Sequence, residues 1–357
     1  MRTLYGLLPT RALTGLLLLL TLLMTLLAAG CGPEGAEVVA PETSIPSSVA
    51  APTEVVVASV AGHPITIREL ALRDHPTAVN QRGDVLTAFS LLPARGEEIR
   101  LAPGFWPQGL NGRTVVGYPD VVPQDCPLPF ALDVGSGERI ALAFPDGWDA
   151  GVPRDVNEAG WVVGWLGRRN AASTCEVAYQ QAVIWWKGGA ELLPALEPGD
   201  YTVAEAISPR GAVAGVSGTR AVVWEEGQVR PVGPEGVYIS YARDVNASGT
   251  VVGFAQPELG GRHVAFAWED GVTTILPSLG AAAFARAVND RGMIVGTSVG
   301  PGEQEHAVLW YRGELIDLGT LGGARSEARA VNEAGEIVGW AEDGDGVRRP
   351  VAWRVGG

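Results

Sequence analysis

Few side chains in this sequence are of a type and spacing suited to covalent or metal chemistry. There are four histidines, and His63, His75, His263 and His306 lie far apart with no metal-ligand spacing between any pair. There are also three cysteines. Cys31 directly follows Ala28-Ala29-Gly30 and a nearly unbroken aliphatic run from Leu16 to Leu27, which places its thiol for thioether formation with a diacylglyceryl group. Cys126 and Cys175 form an even pair, which in an oxidising compartment suits a disulfide. The tract Glu342-Asp343-Gly344-Asp345-Gly346 is acidic and glycine-rich like a calcium loop, so Asp343 and Asp345 are weak metal candidates. It lacks the alternating oxygen ligands and distal bidentate Glu of a full calcium motif, and a solvated hairpin tip is the simpler reading. The chain has no G-x-S-x-G, no phosphate loop and no H-E-x-x-H, so no catalytic residue is singled out and no cofactor is expected.

The surroundings of Cys31 set the compartment. Arg2 and Arg11 form a positive n-region ahead of the aliphatic run, as in a secretory signal. The small-residue pair before the Cys resembles a bacterial lipobox, which implies cleavage in front of Cys31 and its lipidation. Residues 1–30 are therefore expected to be a lipoprotein signal peptide. An uncleaved transmembrane helix is disfavoured, because the apolar run is short of the ~20 residues a span needs and no basic stop-transfer segment follows. Residues 31–54, rich in Pro, Ser, Ala and Glu after the Cys, have neither helical nor strand period and read as a lipidated tether. The expected location is extracytoplasmic, in the bacterial cell envelope, with the membrane contacted through the lipid on Cys31. The formal net charge is −14, and loss of Arg2 and Arg11 makes the mature chain more acidic still. Such a surface disfavours nucleic acid and anionic headgroups as partners.

Residues 55–357 are built from one repeated unit. Its clearest part is a strand, a tight turn and a second strand, with the turn residue at Asn80, Asn111, Asn157, Ser208, Asn246, Asn289 and Asn332. The Asn side chain can bond the backbone two residues on, and the following Gly supplies the positive φ that closes a type I turn with a bulge. A third strand follows, carrying Trp185, Trp224, Trp268, Trp310 and Trp353 at one register, and then usually a fourth such as Gly313-Glu314-Leu315-Ile316-Asp317. Runs such as Val162-Val163-Gly164-Trp165 and Ala182-Val183-Ile184-Trp185 are apolar at consecutive positions, so both faces of each sheet must be covered. Four-stranded antiparallel sheets covered by copies of themselves, at roughly 40–50 residues each, describe an all-β β-propeller of about seven blades. A β-solenoid is the alternative, although its coils are usually shorter and need no hairpin. The last unit ends after its third strand, and Gly62-His63-Pro64-Ile65-Thr66-Ile67 matches the missing fourth. The N-terminal strand is thus expected to complete the C-terminal blade and close the ring.

With these motifs in place, the chain resembles the bacterial extracellular repeat family named for its His-Ala-Phe strand, the HAF family. The matching residues are His306-Ala307-Val308-Leu309-Trp310, Asp317-Leu318-Gly319-Thr320-Leu321-Gly322-Gly323, Ala330-Val331-Asn332 and Ile337-Val338-Gly339. The match is strongest in the last two units and rests mainly on the hairpin before residue 200. The resemblance implies export and repetition. It carries over no catalytic residues.

Specificity in such a scaffold sits in loops. The stretch from Leu166 to Gln181 reads as a long connection and holds Arg168 and Tyr179, and the connections between units hold Tyr201, Tyr238 and Tyr241. These residues are the candidate ligand-binding set. Cys126 and Cys175 fall in equivalent connections of consecutive units, which suits a disulfide across two blades. The expected role is a monomeric binding or scaffolding module for a protein or polysaccharide. A propeller hydrolase or lyase acting on extracellular glycans is the rival, and a structural spacer the third possibility. Deleting residues 60–72 should yield insoluble or dimerising protein by size exclusion; a monomeric truncation with unchanged melting would sink the closed ring.

Overall fold

The computed structural model describes residues 54–60, 62–119, 128–169 and 177–356, all of them within the compact unit from Ala51 to Gly357. Seven antiparallel sheets follow one another along the chain, six of four strands and one of five. Numbered in chain order, the innermost strands of blades one to seven are Pro76–Val79, Phe105–Asn111, Ala150–Val156, Thr202–Ile207, Ile239–Val245, Ala283–Val288 and Gly322–Val331. Each contacts the innermost strand of the next blade, and the seventh returns to the first. This is a seven-bladed β-propeller.

The ring closes as the sequence implies. His63–Glu69 pairs with Arg348–Val355 and supplies the fourth strand of blade seven. Arg68 within it reaches the buried Glu336 at 2.8 Å, pinning the strand to its blade. One element was not anticipated. Val55–Val60, expected only to begin the folded part, adds a fifth strand outside His63–Glu69, and its Val57, Ala58 and Val60 seal the core between blades six and seven.

Among the described residues the core is divided between the blades. Seven apolar clusters occupy the seven interfaces between adjacent blades, which is why the strands are apolar on both faces. The recurrent Trp of the third strand lies in this layer. Trp185, Trp224, Trp310 and Trp353 are buried, and each indole N–H donates to a backbone carbonyl earlier in the chain, of Ala143, Pro194, Pro277 and Leu318 respectively. The interface between blades seven and one holds the smallest pack, with only Leu70, Val85, Val338 and Ala352 fully buried.

The hairpin turns add a polar ring to these interfaces. In five blades the turn Asn accepts N–H groups of its own hairpin through Oδ1, as Asn246 does from Ser248 and Thr250. Its Nδ2 then donates to the turn carbonyl of the next blade: Asn80 to Gly112, Asn157 to Ser208, Asn246 to Asn289, Asn289 to Asn332, and Asn332 back to Asn80. Ser208 has no amide, and its hydroxyl accepts the Ala212 N–H of its own hairpin. Replacing Asn332 with Ala leaves buried donors and acceptors unpaired at the weakest interface, at about 1–3 kcal/mol for each group. Asn332→Ala should therefore cost at least 2 kcal/mol by the same estimate, while Ser208→Ala costs clearly less; chemical denaturation measures both.

Candidate functional site

Strands alternate in direction, so the Asn turns emerge on one face of the ring. The connections between second and third strands, and those between blades, emerge on the other. What lines the passage between the two faces is decided by a backbone irregularity repeated in every blade. Each innermost strand carries a β-bulge, and the unpaired residue is always the third before the turn: Thr77, Gln108, Arg154, Glu205, Arg243, Arg286 and Arg329. A bulge re-aims its side chain. Thr77 bonds the Leu86 carbonyl of its own blade, while Gln108, Arg154, Glu205, Arg243 and Arg286 meet side chains of neighbouring blades around the axis.

The bulge also explains a recurrent glycine of the second strand. It brings the carbonyl of the residue five before the turn so close that a Cβ on Gly253 would lie 1.9 Å from the Tyr241 oxygen, and one on Gly339 1.9 Å from that of Glu327. No side chain fits there. The same approach recurs at Gly117, Gly164, Gly215 and Gly296, while blade one has Thr87 at this position on a shorter strand.

The bulge residues form an electrostatic belt. Arg154 donates to Gln108 Oε1 at 3.2 Å and lies 3.9 Å from Glu205, which Arg243 approaches to 3.6 Å from the other side. Further round, Glu327 is flanked by Arg286 at 2.9 Å and Arg329 at 3.2 Å, and it accepts the Trp340 indole N–H. Burial works against the Glu327 carboxylate, but the two guanidiniums outweigh it and hold its pKa below the usual value. Burial likewise lowers the pKa of Arg286.

An aromatic tier stands next to this belt, toward the face opposite the Asn turns. Tyr201 hydrogen-bonds Tyr241, and burial raises the pKa of both phenols. Tyr241 then contacts Phe254, which packs with His263 and Phe284 at centroid separations of 4.9–5.6 Å within the group. Beyond Glu327 the tier resumes with Trp340, which is covered by Arg348 at 4.2 Å and faces His75. Burial, with Arg329 and Arg348, lowers the pKa of His75. Phe89 and Trp106 form an exposed pair on blades one and two.

The expected binding residues are partly redistributed. The stretch from Leu166 to Gln181 is not one long loop: Val162–Arg169 and Val177–Trp186 extend as paired strands, with Leu166 opposite Gln181, because the hairpin continues past the blade edge. Arg168 is thus on a strand, exposed, with its guanidinium 4.6 Å from the Trp148 ring centroid. Tyr179 falls on the returning strand. Tyr201 and Tyr238 lie in connections as expected, but Tyr241 belongs to the innermost strand of blade five, so it faces the passage and not the rim. Cys31, Cys126 and Cys175 lie outside the described residues. Asp343 commits Oδ1 to the N–H groups of Asp345 and Val347 and Oδ2 to Arg349. The Val347 N–H foremost, then Arg349, lower its pKa, which is the chemistry of a hairpin tip. Among the described residues no three His, Cys, Asp or Glu side chains are grouped to hold a metal ion.

Sequence reasoning missed the belt itself. Its signal was available as the column three residues before each turn, where four of the seven residues are Arg. Asp155 and Asp244 follow the bulge directly, and each accepts its own strand's next N–H and an N–H of the following blade, from Ile207 and Val288. They are interblade clamps. Burial raises their pKa values to about 6 and about 7, against the pull of those same N–H groups.

Comparison with known proteins adds the fold and no more. No family model and no curated protein matches the chain. Among solved structures it is similar to YCF48 bound to a D1 peptide, with 11% identity, a TM-score of 0.50, and 84% of this chain and 99% of that one covered. It is also similar to an oligogalacturonate lyase in complex with manganese, with 11% identity, a TM-score of 0.50, and 85% and 96% covered. The β-propeller domain of the Trilobed protease from Pyrococcus furiosus gives 10% identity, a TM-score of 0.48, and 85% and 95% covered. At such identities the shared feature is the propeller.

The clamps predict a pH dependence of stability. Their native pKa values exceed the unfolded value near 3.9, so over this range the native state binds more protons than the unfolded chain and stability falls as pH rises from about 4 to 7. Urea midpoints should decline from pH 5 to pH 8, and the Asp155→Asn/Asp244→Asn double variant should flatten that decline. An unchanged slope in the double variant would remove these carboxylates as its cause.

Proposed function

We propose that this protein is a lipid-anchored, extracytoplasmic binding module that receives a protein or polysaccharide at the mouth of its central passage, on the face opposite the Asn turns. The observation that carries this reading is the chemical asymmetry of the ring. One face is a belt of turns whose polar groups are largely spent on one another. The other gathers Tyr, Phe, His, Trp and Arg side chains around an opening, the residue types enriched where proteins bind ligands and partners. The tether of residues 31–54 would hold that mouth off the membrane, and export through Cys31 would place it outside the cytoplasm. Kinship with the HAF repeat family and a disulfide between Cys126 and Cys175 belong to the same proposal.

The catalytic rival finds its best acid and base in Asp155 and Asp244, whose pKa values are near neutrality. Each has both oxygens occupied by backbone N–H groups, which favours the structural role and hence binding over turnover.

Glycan and peptide arrays probed with the full-length lipoprotein, alongside a reducing-sugar release assay, test the proposal. Binding without release is expected, weakened about tenfold or more, which is ~1.4 kcal/mol, by Tyr238→Ala or Phe284→Ala and untouched by Arg210→Ala on the turn face. Cys31→Ser should move the protein from the membrane to the soluble fraction. Release of reducing ends would install the catalytic rival, and silence on both arrays would leave the spacer.

A further inference from the structure

The seven bulges do not contribute equally to the belt. Arg243, Arg286 and Arg329 occupy the same register in three consecutive blades, and Arg154 stands across Glu205 from Arg243. Among the described residues the acidic side chains in ion pairs with these four arginines are Glu205 and Glu327, and Glu305 adds its field at Arg286. Asp155 and Asp244 are adjacent in sequence to Arg154 and Arg243, but they direct their oxygens to backbone N–H groups of the neighbouring blades. Four guanidiniums thus share two ion-paired carboxylates in a chain whose own formal charge is −14.

The four arginine side chains are 31–36% exposed, so an entering anion can reach them from solvent. Here the Nε atoms of Arg154 and Arg286 are buried and have no hydrogen-bond partner within the protein. The belt thus holds unspent donors, and that of Arg286 lies within the run of three arginines. A guanidinium presents its donors in a planar fork that matches the two oxygens of a carboxylate, and Glu327 between Arg286 and Arg329 already uses part of that complementarity.

We propose that the arc formed by Arg243, Arg286 and Arg329 is a binding site for a ligand of the carboxylate class, entering from the aromatic face. Tyr241 and Phe284, each two residues before an arginine of the arc, flank it on that side. The site rests on the binding reading above, since it names the chemical group which that reading leaves open.

The test is calorimetric titration of the full-length lipoprotein in detergent, with malonate and succinate as probes. Inorganic phosphate and sodium chloride at matched ionic strength serve as controls, and trigalacturonate carries the same group on a sugar chain. Saturable binding of a dicarboxylate is expected, weakened at least about tenfold by Arg286→Gln and again by Arg243→Gln, and unchanged by Arg210→Gln on the turn face. Arg286→Lys, which keeps the charge and loses the fork, should weaken it less than Arg286→Gln and gives a second reading if the glutamine variant folds poorly. Tighter binding of trigalacturonate than of succinate would assign the carboxylates to an acidic glycan, and the reverse order to a free small acid. Phosphate binding as tightly as the dicarboxylates would overturn the carboxylate class. Binding no stronger than chloride, or insensitive to both Arg286 variants, would overturn the site. Array binding that persists in Arg286→Gln would also remove the site while leaving the module reading intact, whereas silent arrays with dicarboxylate binding retained would do the opposite.

Discussion

The amide of the turn Asn is the contact on which the ring depends. Its oxygen satisfies the hairpin of its own blade and its nitrogen reaches the turn carbonyl of the next, so a single side chain both shapes a blade and fixes its neighbour. The contact matters most where apolar packing is thinnest. Between blades seven and one, Asn332 donates to Asn80, and nearby Glu333 donates its backbone N–H to the Gln81 side chain. This polar seam, with His63–Glu69 as the fourth strand of blade seven, closes a ring whose last interface buries little. Ser208 breaks the amide relay in blade four, and there the neighbouring Asp155 reaches across from blade three to the N–H of Ile207.

Fixing the turns fixes the bulges, because both lie on one short strand a set number of residues apart. The bulge costs a ladder hydrogen bond and in six blades requires a glycine opposite, yet it recurs in all seven. In return each blade presents one side chain toward the axis at a common height. Structure and function then separate within a few residues: the turn Asn serves the ring, and the residue three before it is free to vary. In blades five to seven that residue is Arg, which concentrates charge on one side of the passage.

Charge and aromatic surface combine on a single face for a geometric reason. The innermost strands run in the same direction in every blade, so residues five, three and two before the turn form successive tiers along the passage. The aromatic tier of Tyr241 and Phe284 lies farthest from the turns, the arginines follow, and Asp155 and Asp244 clamp the blades beneath them. The face with the aromatic tier is the one that can meet a ligand by stacking and by charge together.

The fold was legible because its signals are local and repeated. An Asn and a Gly spaced for a turn, a Trp at a constant register and apolar residues on both sides of a strand each act within one blade, and the missing fourth strand of the last unit had a visible match at residues 62–67. The extension of Val162–Arg169 and Val177–Trp186 into the supposed loop was not legible, since polar residues such as Arg168 and Gln180 are tolerated where a hairpin protrudes beyond the packed blade. The arginine arc was hidden for another reason. Arg243, Arg286 and Arg329 are far apart in the chain and each looks like an ordinary surface charge beside its own turn. The sequence by itself determined the blade, the number of blades and the strand that closes the ring, all of which follow from short-range pattern. Only the tertiary structure decided which column of the repeat faces the axis, because that direction comes from a bulge in the backbone and from the circular neighbours that bring the column together.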